Sequence, residues 1–376
     1  MSRDTQYIPA LGHDLTHVPE VPATTTAEGM KEHYTCSRCT DLLDKNYATV
    51  TASDLVIPKL VEPEAYAALS NDNKTLTFYY DGQKASRGGM SVGPFDGSTT
   101  LPAWSDNASS IRNANIDESF AGYTALTSTA YWFEGCSELR AVSGMENLVM
   151  DNLTDMNSMF KGCNSLRSVS LSGMNTGKVT SMHGLFWDCS ALQSIDLSTL
   201  DTRSVTDMSG MFNYCNGLKT VNLSGVNTAS VTDTSSMFYY CSSLTDLDLS
   251  GFNTGSVTSM RYMFEGCSSL TKITVSETGW TTDAVTSGTA MFRGCRDIVG
   301  GNGTKYDAGH TDEGYARIDK AGTPGYLTSS AGTGIFNVEG KAMGDGYFYT
   351  PDGRRIEGQP TKQGFYISNG RKVMVK

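Results

Sequence analysis

One motif constrains this chain more than any other: Phe-x-x-Cys occurs seven times between Phe133 and Cys295, with cysteines at 136, 163, 189, 215, 241, 267 and 295. Successive cysteines lie 26 residues apart, except for a first interval of 27 and a last of 28. A fixed period of about 20 to 50 residues signals a stack of units, none of which can bury its apolar face alone. The remaining segments then read as caps and appendages.

One unit, Val205 to Leu223, predicts the local structure. Met208, Met211, Phe212 and Cys215 fall at i, i+3, i+4 and i+7, the spacing of one apolar helix face. Thr206 stands just ahead of this stripe, and Thr180, Thr232, Thr258 and Thr286 hold the same place elsewhere, so a hydroxyl is positioned to cap each helix. Past Leu218 the period drops to two, with Val221 and Leu223 inward and Thr220, Asn222 and Ser224 outward, as in a half-buried strand. The expected fold class is an α/β repeat: a leucine-rich-repeat solenoid of parallel strands and short helices. A small N-terminal module and a C-terminal β-hairpin module are expected beside it.

The stretch Phe238 to Met260 (FYYCSSLTDLDLSGFNTGSVTSM) resembles the BspA-like leucine-rich-repeat surface proteins of bacteria, and most of its register recurs in five units. The flanks Leu76 to Phe95 and Val299 to Tyr326 resemble that family's caps. The resemblance implies an extracellular or surface-attached binding protein of adhesive or ligand-capturing kind, no enzyme activity and no required cofactor.

Composition narrows the partners. Charged residues make up 18% and the net charge is −11, which argues against a nucleic-acid binder that must neutralise phosphates. No run of about 18 apolar residues is present to span a bilayer, and Met1 to Pro9 lacks the apolar core of a signal peptide. A surface location therefore presumes a leader outside this sequence, and a cytoplasmic protein is the alternative. The partner class that remains is an extracellular protein or glycan.

The chain divides into a module at 1–62, an N-terminal cap at 63–132, repeats with a C-terminal cap at 133–330, and a tail at 331–376. The first module carries Cys36 and Cys39 in a Cys-x-x-Cys loop, half of a structural zinc site that His13, His17 or His33 can complete. It resembles a short module of gut-bacterial surface proteins, although Thr24 to Thr26 stand where that module often has another cysteine. A disulfide or free thiols are the alternatives. The seven repeat cysteines form a column whose β-carbons stay about 4.8 Å apart, too far for a disulfide, so buried reduced thiols are expected. The Gly300 to Gly303 run lacks the Lys-Ser/Thr of a phosphate loop and reads as a turn. In the tail, Pro351-Asp352-Gly353 and Asn369-Gly370 predict hairpins, and Gly364 to Lys376 resembles C-terminal tails of Bacteroidota surface proteins, some used as sorting signals, with a small β-module that closes the chain as the alternative.

Two columns depart from the bland Ser, Thr and Gly of the repeats. Trp187, Tyr214, Tyr239, Tyr240 and Tyr262 follow the repeat phenylalanine or neighbour it, and aromatic rings offer contact area with a polar handle. The alternative is that they pack only on one another. Ser170, Asp196, Asn222, Asp248 and Thr274 form an outward strand column, read either as cation ligands or as a solvated ladder. The five histidines form no triad with a nucleophile, which sets an enzyme of unknown class aside. A structural spacer displaying the terminal modules is the other reading.

Overall fold

The computed structural model describes residue 12, residues 14–330 and, as backbone alone, the strands Phe348–Tyr349, Arg355–Ile356, Gly364–Ser368 and Arg371–Val375. It divides into two compact units, residues 1–65 with 80–89, and residues 66–79 with 90–376.

The first unit contains an antiparallel sheet in the order Leu15–Val18, His33–Cys36, Leu42–Asp44, Thr49–Val50. The only α-helix among the described residues follows it, Ala52–Leu55. Asp54 reaches back from that helix to accept from the Thr51 amide at 2.8 Å. Leu43 and Leu55 are its buried apolar anchors.

The second unit opens with a sheet in the order Ala141–Ser143, Asn113–Ile116, Thr75–Asp81, Glu64–Leu69. Phe78 from this sheet stacks on Trp132 at 4.4 Å and meets Trp104 edge-on at 5.7 Å. Both indole N–H groups are satisfied, Trp104 by the Trp132 carbonyl at 2.8 Å and Trp132 by the Val92 carbonyl at 2.9 Å. A large apolar lid thus closes the first Phe-x-x-Cys coil, whose Phe133 touches Phe78 at 5.9 Å.

From there the repeat phenylalanines stack coil on coil. Phe133, Phe160, Phe186, Phe212, Phe238, Phe264 and Phe292 follow one another at 5.3–5.9 Å, nearly parallel and fully buried. On one side, short parallel strands pair Ser194–Asp196 with Thr220–Asn222, and Asp246–Leu249 with Lys272–Val275 and then Leu327–Ser329. This side follows the predicted strand in part, with Leu223 buried and Thr220 and Asn222 outward, while Val221, expected inward, is only half-buried.

The other side is not helical, which corrects the expected α/β alternation. The N–H groups of Met182, Gly184, Phe186 and Asp188 donate to Asp207, Ser209, Met211 and Asn213 of the next coil. The intervening amides of Leu185, Trp187 and Cys189 close tight turns onto the carbonyls three residues back. Half the donors thus leave the coil, whereas an α-helix keeps its interior amides within itself. Each coil also contains two left-handed residues four apart, such as Gly184 with Asp188, Gly210 with Tyr214 and Ser236 with Tyr240. Such residues interrupt a right-handed helix. Turns closed at i→i+3 still bring every third or fourth side chain inward. Met208, Met211, Phe212 and Cys215 are therefore buried, as the spacing required, on a different backbone.

The threonines expected to cap helices do something else. Thr206 donates both its amide, at 2.8 Å, and its hydroxyl, at 3.2 Å, to the Thr180 carbonyl one coil back, and Thr180, Thr232, Thr258 and Thr286 repeat the pattern. A second, buried series runs the opposite way. Thr228 Oγ1 donates to the Asn253 carbonyl at 2.8 Å and accepts from the Asn253 amide at 2.7 Å, and Thr202 and Thr254 do the same with Asn227 and Thr281.

At the far end Phe292 meets Tyr326 edge-on at 5.2 Å. The buried Asp319 carboxylate accepts from the amides of Asn302 and Thr304 and from the Thr304 hydroxyl at 2.7–2.9 Å. It holds the Gly300 to Gly303 run as a turn closed by Gly303 N–H on the Gly300 carbonyl. In the tail, Phe348–Tyr349 lies between Arg355–Ile356 and Gly364–Ser368, and the latter pairs antiparallel with Arg371–Val375. The two expected hairpin turns themselves lie outside the described residues.

Candidate functional site

The repeat frame places every residue that follows the repeat phenylalanine in one column: Glu134, Lys161, Trp187, Asn213, Tyr239, Glu265 and Arg293. From Lys161 onward their carbonyls accept from the preceding coil, for example Tyr239 from Tyr214 N–H at 2.7 Å and Glu265 from Tyr240 N–H at 2.7 Å, so the column is locked in register. Sequence reasoning singled out its aromatics and missed the charges, which pair along the stack. Lys161 Nζ lies 2.8 Å from Glu134 and 5.5 Å from the Trp187 ring, and Arg293 Nε donates to Glu265 Oε1 at 2.9 Å. The separation of these partners by 27 and 28 residues hid them from any local reading.

Of the five predicted aromatics, the structure gathers four. Tyr214, Tyr239 and Tyr240 lie 4.7–5.4 Å from one another, and Tyr262 reaches Tyr239 at 6.1 Å. Tyr214 and Tyr240 are 39% and 40% exposed. Burial, then the nearby Glu265 charge, pushes the Tyr239 hydroxyl up to about 12. Arg261 is laid over the Tyr262 ring at 4.4 Å. Trp187 is half-buried: its ring covers Gly184 and Gly210 and meets His183 edge-on at 6.1 Å.

His183, Ser209 and Asp207 do come together, but not as a nucleophilic triad. Ser209 donates its hydroxyl proton to Asp207 Oδ1 at 2.6 Å, and His183 Nδ1 approaches the same oxygen of Ser209 at 2.7 Å. A triad needs the imidazole to take that proton and the carboxylate to orient the imidazole. Here the serine is already bonded to the carboxylate.

The repeat cysteines are all free and buried. From Cys163 onward each thiol donates to the carbonyl of the phenylalanine that begins the preceding coil's motif, at 2.9–3.2 Å. Burial pushes the thiols of Cys136 and Cys267 up to about 12, which makes them poor nucleophiles.

In the outward strand column, Asp196, Asn222 and Asp248 each accept from the amide two residues on, at 2.9, 3.2 and 2.9 Å, which ends their strand in a turn. An open groove of about 540 Å³ lies over Ser170, Asp196 and Asn222.

The first module brings Cys36 and Cys39 together, and a hydrogen bond to Cys36 heads the causes that raise the Cys39 thiol. His33 lies on the same strand three residues before Cys36, hence on the opposite face, with Nδ1 on the Lys31 carbonyl at 2.9 Å. His17 bonds Glu32 at 2.7 Å. Among the described residues no three of His, Cys, Asp and Glu gather as a metal-binding group, and His13 lies outside them.

The family model described as Mycoplasma protein of unknown function, DUF285, matches residues 127–224 and again 216–314, together half of the 376 residues. It spans the coils on which the resemblance to BspA-like proteins rests. Three solved structures are similar. A leucine-rich-repeat protein of T. pallidum is 16% identical, over 56% of this chain and 81% of that one, with a TM-score of 0.25. A leucine-rich cell surface protein of Faecalibacterium prausnitzii A2-165 is 19% identical, over 64% and 60%, with a TM-score of 0.24. A leucine-rich-repeat protein of Eubacterium ventriosum is 14% identical, over 63% and 77%, with a TM-score of 0.29. No curated protein matches the chain.

Proposed function

The chain belongs to the repeat family described as Mycoplasma protein of unknown function, DUF285, and on that footing we propose that it is a non-enzymatic binding protein of the cell surface, whose coils form a leucine-rich-repeat solenoid that captures a ligand. The observation that carries this reading is the tyrosine cluster of Tyr214, Tyr239, Tyr240 and Tyr262, set side by side and partly exposed. Rings held in register by backbone bonds between coils lose little further freedom on binding, which favours affinity. The buried, raised thiols and the Asp207-bound Ser209 give covalent catalysis no starting point there. Among the described residues no helix is long and apolar enough to cross a membrane.

The test uses the full chain on an array of matrix proteins and glycans, beside a variant with Trp187, Tyr214, Tyr239, Tyr240 and Tyr262 all replaced by Ala. The parent should bind and the folded variant should not. Equal binding by both moves the site to another face, such as the strand groove over Asp196 and Asn222. No binding to any extracellular ligand favours a spacer over an adhesin.

A further inference from the structure

We propose that Cys36 and Cys39 form a redox couple that closes to a disulfide by exchange with a small external disulfide, and that the bond latches the first unit. The oxidising setting rests on the surface location proposed above, whereas the chemistry of the pair stands on its own geometry.

The nine cysteines fall into two chemical classes. The seven of the repeats are fully buried, and from Cys163 onward each thiol is donated to a phenylalanine carbonyl, out of reach of an external disulfide. Cys36 is half-buried and Cys39 is exposed. Cys36 ends the strand His33–Cys36, and the chain then bends from Ser37 to Thr40, which brings the Cys39 thiol back to hydrogen-bond Cys36. The Arg38 amide also donates to Cys36 Sγ at 3.4 Å, and Cys39 Sγ lies 3.5 Å from Asp41 Oδ2. One sulfur therefore receives hydrogen bonds, as a thiolate does, while the other holds its proton beside a carboxylate.

The exchange balances. The Cys36 thiolate attacks a disulfide R–S–S–R, forming a mixed disulfide and releasing one thiolate. The Cys39 thiol then gives its proton to solvent and attacks Cys36 Sγ, which breaks the mixed disulfide and releases the second thiolate. The pair loses two electrons and two protons, and the external disulfide becomes two thiols.

The residues between the cysteines show what the bond fixes. Ser37 donates its amide to the Asp14 carbonyl at 2.9 Å and its hydroxyl to Asp14 Oδ2 at 2.6 Å, and Arg38 Nη1 donates to the Gly12 carbonyl at 3.4 Å. The same loop thus holds the segment that enters Leu15–Val18, the strand paired with His33–Cys36. Little else does so. Among the described residues up to 62, the buried apolar side chains are Ala23, Leu43 and Leu55, whereas Val21, Met30, Tyr47, Leu60 and Val61 are 42–65% exposed. A unit with so small a core is the kind that a covalent staple stabilises.

The test equilibrates the full chain in buffers of reduced and oxidised glutathione, blocks free thiols and maps the peptides. In mainly oxidised glutathione Cys36 and Cys39 should be recovered joined to each other, two hydrogens lighter, with the repeat cysteines still free. Cys39→Ser should stop at a glutathione on Cys36. Amides of Leu15–Val18 and His33–Cys36 should exchange roughly tenfold more slowly in the oxidised form than in the reduced form. A pair that stays reduced, carries two glutathiones, or holds a metal ion in equal amount overturns the couple. An unmodified Cys36 in Cys39→Ser overturns the order of attack, and equal exchange in the two forms overturns the latch. No ligand enters these readouts, so a blank array unseats the binding role and leaves their result as it is.

Discussion

Phe212 sits between Phe186 and Phe238 at 5.8 and 5.5 Å, fully buried, so its truncation leaves a void that two neighbouring coils share. Phe212→Ala should cost about 3 to 5 kcal/mol, read from denaturant midpoints, and a loss of only a few tenths would mean the ring is not central to the stack. The cysteines follow a similar argument. Each thiol from Cys163 onward is spent on a phenylalanine carbonyl, and burial raises the column thiols away from the thiolate form that attacks a reagent. A thiol reagent at pH 8 should therefore label Cys36 and Cys39 in the reduced native protein and all nine cysteines only after unfolding. Rapid native labelling of any column cysteine would contradict this. Tyr214 and Tyr240 run against the same economy, since their left-handed backbone costs of order 1 to 3 kcal/mol each relative to a residue at ease there.

At the scale of one coil, the elements that matter are ladders of hydrogen bonds. Thr228 is buried and couples its hydroxyl to both the carbonyl and the amide of Asn253 in the next coil. Thr228→Val preserves shape and strands both backbone groups, so a loss of about 1 to 3 kcal/mol is expected, with faster hydrogen exchange at Asn253 than at distant coils. An unchanged exchange rate would remove the ladder from the account of stability. These ladders explain what the sequence did and did not disclose. The spacing of Met208, Met211, Phe212 and Cys215 identified the inward face, because turns closed at i→i+3 and an α-helix both return a side chain inward every third or fourth residue. It could not identify the backbone. That depended on two left-handed positions per coil, and Ser158, Ser236, Tyr214 and Tyr240 disguise them among the glycines. The site divides in the same way. The tyrosines were visible as a column, whereas Glu265 and Arg293 pair across 28 residues and Asn213 is notable only for an acceptor left without a donor.

For the stack as a whole, stability is set by how its two ends are closed, because interior coils are covered on both sides and terminal coils are not. Trp132, Trp104 and Phe78 close the first coil with an apolar lid that has no titratable group of its own. The last coil is closed by a polar device. Burial pushes the Asp319 carboxyl up, but the hydrogen bonds from Thr304, Asn302 and Gly325 outweigh it and leave its affinity for a proton below the ordinary value. A carboxylate depressed by folding stabilises the native state above its unfolded value near 3.9, and that contribution is lost as pH falls through the folded value. Asp155 in the second coil has the opposite sign: burial raises it, so its protonation favours the folded form and occurs at higher pH than in the unfolded chain. Acid should therefore loosen the C-terminal cap locally, with the amides of Asn302 and Thr304 losing exchange protection below about pH 4 while those around Asp155 hold. Asp319→Ala should produce the same local loss at neutral pH, since it strands the amides that the carboxylate now receives. Exchange that rises uniformly along the coils in acid, or a cap in Asp319→Ala as protected as the parent's, would show that the stack opens as one cooperative body rather than from its charged end.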